Sequence, residues 1–180
     1  DDFLGLNTKY RIANGEETRR IYLDSTASTL MMGIAHRTSE KFLNHYSNTH
    51  SLMHFSAKIA TKTYAWVHER MLEFVHADSE HYTCFFTGSG TTSGMNRVAR
   101  IFRNLQPKKD VVLVSIMEHH SNDLPHRKHG GHVIHIPVDT HESKMGSVDL
   151  DILEHYLKEY AGRVNYVSIT GISNVTGIIN

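Results

Sequence analysis

The chain has 180 residues, 19 basic and 19 acidic, for a formal charge of zero, and 39% of its residues are hydrophobic. That length can bury a core, the even charge excludes the basic footprint of a nucleic-acid binder, and no apolar run reaches the roughly 20 residues of a membrane-spanning helix. A single cysteine, Cys84, rules out an intrachain disulfide and fits a reducing, cytoplasmic setting, and the polar, acidic N-terminus does not read as a signal peptide.

Residues 1–20 are polar and read as an N-terminal arm, with residues 21–180 as the domain that follows. Residues 21–23 are a short apolar strand. Residues 24–29 (DSTAST) are a turn of small side chains, which packs tightly or lets a ligand approach. Residues 36–46 suit a helix. Residues 47–56 (SNTHSLMHFS) are irregular and carry His50 and His54. Two histidines four apart can share a helix face and bind metal, but Asn48 and Ser51 favour a loop and no third ligand is near. Surface or substrate-side histidines are the simpler reading. In residues 57–77, Ala60, Tyr64, Val67, Met71 and Phe74 recur at helical spacing and read as a core-facing stripe.

Residues 82–87 are aromatic and β-prone, with Cys84 as a buried structural residue inside the strand. Gly88 and Gly90 allow a tight turn and close backbone approach. Thr91 and Thr92 then open a helix with Met95, Val98, Phe102 and Leu105 on one face. Free N–H groups and a partial positive charge suit such a helix start to a phosphate. An ordinary N-cap would use the same residue types, and the glycine pattern is neither a Walker loop nor a dinucleotide fingerprint.

Residues 111–116 form a continuous apolar run, as in a parallel strand buried on both faces. The run ends in Met117-Glu118-His119-His120-Ser121-Asn122, where open α/β sheets place ligands. His126, His129, His132 and His135 follow. Their spacing closes no Cys/His metal set, and no metal site is expected. Gly130-Gly131 ends a short helix. Residues 132–138 are a strand, 148–160 an amphipathic helix closed by Gly162, and 164–170 a strand that leads into the polar loop 171–177. Strands alternating with helices predict an α/β fold with a mainly parallel sheet and helices on both faces. Three polar loops, at 88–92, 118–122 and 173–174, would meet on one sheet edge as a cofactor site.

Five segments, in order, resemble the class V aminotransferase family of pyridoxal-phosphate enzymes. YLDSTAST (residues 22–29) is similar to the family's YLDNAATT, and NTHSLMHFSAKIAT (48–61) to its segment with two histidines before a helix. FTGSGTTSGMN is similar to FTRGTTEAIN, MEHHSNDLP to MEHHSNIVP, and SITGISNVTGIIN to AVTHVSNVLGTIN. The nearest likeness is to the cysteine desulfurase and selenocysteine lyase branch. The implied fold is the three-layer αβα sandwich of the fold type I large domain, of which residues 21–180 resemble the N-terminal half.

The resemblance implies roles for individual residues. Gly90, Thr91 and Thr92 would hold the phosphate of pyridoxal 5'-phosphate. His119 would stack on its ring and act in catalysis as a proton carrier, and Asn174 would hydrogen-bond its phenolic oxygen. Ala27 and Ser28 would lie near the substrate carboxylate, and His50 and His54 would face the substrate side or the partner subunit. An amino-acid substrate, a homodimer and a sulfur-accepting protein partner are also implied, with no nucleic-acid or membrane partner.

The sequence also departs from the pattern. Ser25 stands where the family has Asn, and Ser93-Gly94 where it has Glu-Ala. The Ser-x-His-Lys segment of the Schiff-base lysine does not occur, nor do the family's pyridine-binding Asp, carboxylate-binding Arg, desulfurase cysteine loop and small C-terminal domain. These 180 residues alone are therefore expected not to turn over. Readings of another class are a non-catalytic α/β module that keeps a phosphate seat, and a histidine-rich metal binder.

Overall fold

The structure, a computed structural model, describes residues 2–180. It comprises two compact units, Asp1–Phe86 and Thr87–Asn180.

The first unit begins with a hairpin where a plain arm was expected. Strands β1 (Lys9–Arg11) and β2 (Glu17–Arg19) pair antiparallel, with Lys9 opposite Arg19. The turn between them uses Asn14, whose Oδ1 accepts the Glu16 N–H at 3.0 Å, and Gly15 at φ +88°. The expected strand at 21–23 does not form, and Ile21 and Leu23 are 80% and 89% exposed. Helix α1 is Gly33–Leu43 and helix α2 is Phe55–Phe74. α2 starts two residues earlier than the helix expected at 57–77 because His54 caps it, Nδ1 accepting the Ala57 N–H at 3.3 Å. Of the stripe expected in the core, Ala60 is buried, but Tyr64, Met71 and Phe74 are exposed. Among the described residues the sheet of this unit is the two-stranded β1–β2 hairpin, whose residues are all exposed. Residues 82–87 likewise join no sheet, and Cys84 is half-buried rather than enclosed in a strand. Apolar, β-branched sequence favours extension, but only a ladder and a covered face make a strand.

The second unit carries the predicted parallel sheet. Its strands are β3 (Val111–Ser115), β4 (His132–Ile136) and β5 (Val164–Ser168), in the order β4-β3-β5. β3 lies between the other two, Val111 opposite His132 and Val112 opposite Tyr166, and all five of its residues are buried. Successive side chains leave opposite faces. Val111 and Leu113 join Ile136 and Val148 in a core that Leu153 and Tyr156 of helix α5 (Leu150–Glu159) cover. The other face meets helices α3 (Gly90–Leu105) and α4 (His120–His129), where the Tyr166 ring packs on Phe102 and on His126. The result is a three-layer α/β sandwich.

Gly130-Gly131 turns α4 back into β4. At φ +113° Gly131 needs a backbone few other residues adopt, and a Cβ there would lie 2.5 Å from the Asp110 carbonyl oxygen. The turn therefore fixes where the chain leaves α4 and enters β4.

Candidate functional site

β3 ends at Ser115, and residues 116–119 lead directly into α4. His119 is the N-cap of α4. Its Nδ1 accepts the Ser121 N–H at 3.1 Å and lies 2.9 Å from the Ser121 hydroxyl. An N–H donor at Nδ1 leaves the imidazole proton on Nε2, so one His119 nitrogen holds the helix and the other is available.

α3 starts as expected, after a turn with Gly88 at φ +82° and Gly90 at φ +64°. Ser89 at its N-cap makes no side-chain cap bond, and the first turn has no acid. The Gly90 N–H donates to the Gly88 carbonyl, so the capacity for an anion lies with the N–H groups that follow it. A Cβ on Gly88 or Gly90 would meet nothing within 4 Å, so the approach is open. Ser93, where the resembled family has Glu, ties the turn from inside by donating to the Thr87 carbonyl at 2.8 Å.

The two helix starts meet. Thr92 and Asn96 of α3, with His119, His120, Ser121, Leu124, Pro125 and Lys128, line a cleft of about 350 Å³. Thr92 and His119 were both expected at the site. Gly90 and Thr91, immediately before Thr92 at the exposed start of α3, do not line the cleft. Asn174 does not line it either. It is exposed in a turn closed by the Ser173 hydroxyl, which accepts the Val175 and Thr176 N–H groups at 3.3 and 3.2 Å. Lys128 is a cleft residue that sequence reasoning missed. Its i+4 spacing from Leu124 was the available signal.

Behind the cleft lies a polar network that the sequence reading also missed. Glu118 Oε1 accepts from the Ser115 hydroxyl and the Thr170 N–H, both at 2.5 Å, and Oε2 accepts from Asn122 Nδ2 at 2.6 Å. Asn122 Oδ1 lies 3.1 Å from His126 Nε2 and accepts from Ser168 Oγ at 3.2 Å. His126 Nδ1 lies 2.9 Å from the Tyr166 hydroxyl. His126 is fully buried, and that burial holds its pKa below the ordinary imidazole value. Burial pushes the Tyr166 hydroxyl up to about 12. Beside this network, Asp123 accepts from His135 at 2.9 Å and from Arg127 at 2.7 Å. Burial opposes its ionisation, but the hydrogen bonds from His135 and Arg127 prevail and its pKa falls. Glu118 with Asn122, and Asp123 with Arg127, are i,i+4 pairs that sequence could suggest. Tyr166 lies 40 positions from His126 and gave no such signal.

The remaining expected residues belong to the first unit. Ala27 and Ser28 form a tight turn in which both N–H groups donate to the Asp24 carbonyl, at 3.1 and 3.0 Å, and the Tyr22 hydroxyl donates to the Ser28 carbonyl. His50 is exposed in a turn where its N–H donates to Asn48 Oδ1 at 2.6 Å, and His54 is engaged as the α2 cap. Among the described residues, no three His, Cys, Asp or Glu side chains gather at metal-binding spacing.

A parallel α/β sandwich with an uncapped helix start beside an imidazole past the strand ends defines the class of open α/β domains whose ligand crevice lies at that edge. The family model for class-V aminotransferases matches residues 21–180, and the chain belongs to that family. It is 28% identical to a probable cysteine desulfurase of Halalkalibacterium halodurans and 31% identical to a cysteine desulfurase of Pectobacterium atrosepticum. These alignments cover 89% and 88% of the chain but only 39% and 38% of the relatives. Solved structures agree. The apo cysteine desulfurase of Thermococcus onnurineus matches with a TM-score of 0.71 at 27% identity, over 88% of this chain and 38% of that one. The cysteine desulfurase CsdA of Escherichia coli matches with a TM-score of 0.65 at 25% identity, over 88% and 39%. The chain thus spans about 39% of the length of the curated relatives it matches.

Proposed function

We propose that this chain is the phosphate- and ring-binding part of a pyridoxal-phosphate enzyme that acts on an amino acid, as a cysteine desulfurase does. One observation carries the reading: Thr92, at the uncapped start of α3, and His119, at the N-cap of α4, line one cleft. The residues fit the group. Thr91 and Thr92 would bring N–H groups and hydroxyls to a phosphate, Gly90 would leave the approach open while its own N–H stays on the Gly88 carbonyl, and His119 presents a flat imidazole with a proton on Nε2. When bound, pyridoxal phosphate supplies a ring that withdraws electrons from the substrate's α-carbon. His119 would stack on the ring and donate a hydrogen bond from Nε2–H while Nδ1 stays on the Ser121 N–H; to take up a further proton it would have to release that bond at Nδ1. Lys128 and Asn96 line the same cleft, and Lys128 brings a positive charge to its wall.

The other implied features belong to this reading as well. Asn174 is proposed at the ring's phenolic oxygen, and Ala27, Ser28, His50 and His54 on the substrate side. A second copy of the chain and a sulfur-accepting protein are its proposed partners in the cytoplasm. Residues 1–20 are proposed as an arm, and 21–180 as part of a large domain.

Titration with pyridoxal phosphate, followed by absorbance between roughly 330 and 430 nm, tests the reading. Saturable binding that free inorganic phosphate competes away weakly is expected. Equal affinity for inorganic phosphate and pyridoxal phosphate would support a phosphate-seat module instead, and no binding of either would refute the proposal.

A further inference from the structure

Each hydrogen bond in the Glu118 network has a direction that can be worked out atom by atom. An ionised carboxylate only accepts, so Asn122 must turn its amide N–H₂ toward Glu118 Oε2, at 2.6 Å. That turns Asn122 Oδ1 toward His126, and the nitrogen facing it, Nε2, must carry the imidazole proton, at 3.1 Å. Nδ1 of His126 is then bare and accepts from the Tyr166 hydroxyl at 2.9 Å. Every proton along the line therefore points toward Glu118. The same carboxylate accepts the backbone N–H of Thr170, in the segment that follows β5.

This line also surrounds His119. Glu118 precedes it and Asn122 follows three residues later, and their side-chain bond closes a ring over residues 118–122. Inside the ring, the His119 carbonyl accepts the N–H groups of Asn122 and Asp123 at 2.8 and 3.1 Å.

We propose that Glu118 is a positioning residue: through Asn122 it sets the tautomer of buried His126, holds the start of α4, and fixes the His119 ring against the cleft. The functional half of this inference rests on the reading of His119 as a ring-stacking group. The tautomer half does not.

The test uses two variants. In Glu118→Gln, which keeps the side-chain shape, an amide N–H₂ faces Asn122 Nδ2. Relief comes if Asn122 flips, which turns its N–H₂ to His126 Nε2 and moves the imidazole proton to Nδ1. In the double variant Glu118→Gln/Asn122→Asp, the amide and carboxylate exchange places, and every donor regains an acceptor with His126 still protonated on Nε2. Nitrogen-15 NMR of the imidazoles reads the tautomer directly, and absorbance titration reads the affinity for pyridoxal phosphate.

The expected result has three parts. The original chain holds His126 as the Nε2–H form. Glu118→Gln converts it to Nδ1–H and weakens pyridoxal-phosphate binding about tenfold. The exchanged pair restores Nε2–H and brings affinity back to within about threefold. An unchanged His126 tautomer in Glu118→Gln overturns the proposal, and so does an exchanged pair that fails to restore it. If the original chain binds no pyridoxal phosphate, the functional reading fails by itself, and the role of Glu118 is then decided by the tautomer in the two variants.

Discussion

Gly131→Ala should destabilise the second unit by about 2–3 kcal/mol, and the structure shows where that figure comes from. An L side chain in left-handed backbone costs about 1–2 kcal/mol, and Gly131 sits at φ +113°. Its Cβ would lie 2.5 Å from the Asp110 carbonyl oxygen and 3.3 Å from the carbonyl carbon, both backbone atoms that cannot rotate away. That oxygen accepts the His132 N–H at 2.7 Å and so anchors the start of β4 beside β3. Displacing it loses a bond worth about 1 kcal/mol. Gly162→Ala is the control, because Gly162 has φ +80° but nothing within 4 Å of its Cβ position. It should cost only about 1 kcal/mol. Urea unfolding followed by circular dichroism, with equal m values, gives both numbers. If the two variants agree to within about 0.5 kcal/mol, the contact with Asp110 does not constrain the turn and the reasoning is wrong.

Other outcomes follow from the titratable groups and from the cleft. His126 has a folded pKa below its ordinary 6.5, so the unfolded chain takes up its proton first. Stability should therefore fall as pH drops through 6.5 toward the folded value, and His126→Phe should remove that component, seen in urea midpoints between about pH 7.5 and pH 5.5. Asp123 has a folded pKa below 3.8 and adds stability above that pH, which is lost as pH falls through the folded value. Asp123→Asn should cost about 1–2 kcal/mol at neutral pH and flatten the acid limb of the stability curve, measured by the same unfolding assay. Thr92→Val should weaken pyridoxal-phosphate binding at least about fivefold while shifting stability by less than about 0.5 kcal/mol. Absorbance titration and thermal melts check the pair.

Much of the second unit was legible from residues alone. The apolar run at 111–116 pointed to burial on both faces, and β3 is buried at every position, while Ile116 just past its end is exposed. The spacing of Leu150, Leu153 and Leu157 marked α5, and Asp149 caps it by accepting the Ile152 N–H at 2.9 Å. Thr92 and His119 could be set in one site because both follow strand-like runs in a β-α pattern, whose loops gather on one edge. These are local properties of periodicity, capping and chain direction. They do not depend on what lies opposite.

Features that need a partner could not be read in this way. Residues 21–23 and 82–87 have strand composition, yet neither enters a sheet, because a ladder requires a second strand that their own sequence does not name. The polar segment 9–19 forms a hairpin, since its turn chemistry outweighs its lack of apolar alternation. The stripe on α2 is helical as predicted but exposed at Tyr64 and Phe74, because periodicity specifies a face and not what covers it. The line from Tyr166 through His126 and Asn122 to Glu118 joins strand, helix and loop, with 40 positions between Tyr166 and His126. The sequence by itself determined the helices, the buried strand and the chemical types at the cleft. Only the tertiary structure decided which polar groups meet, because a hydrogen bond depends on distance and direction in space, and neither is encoded by position along the chain.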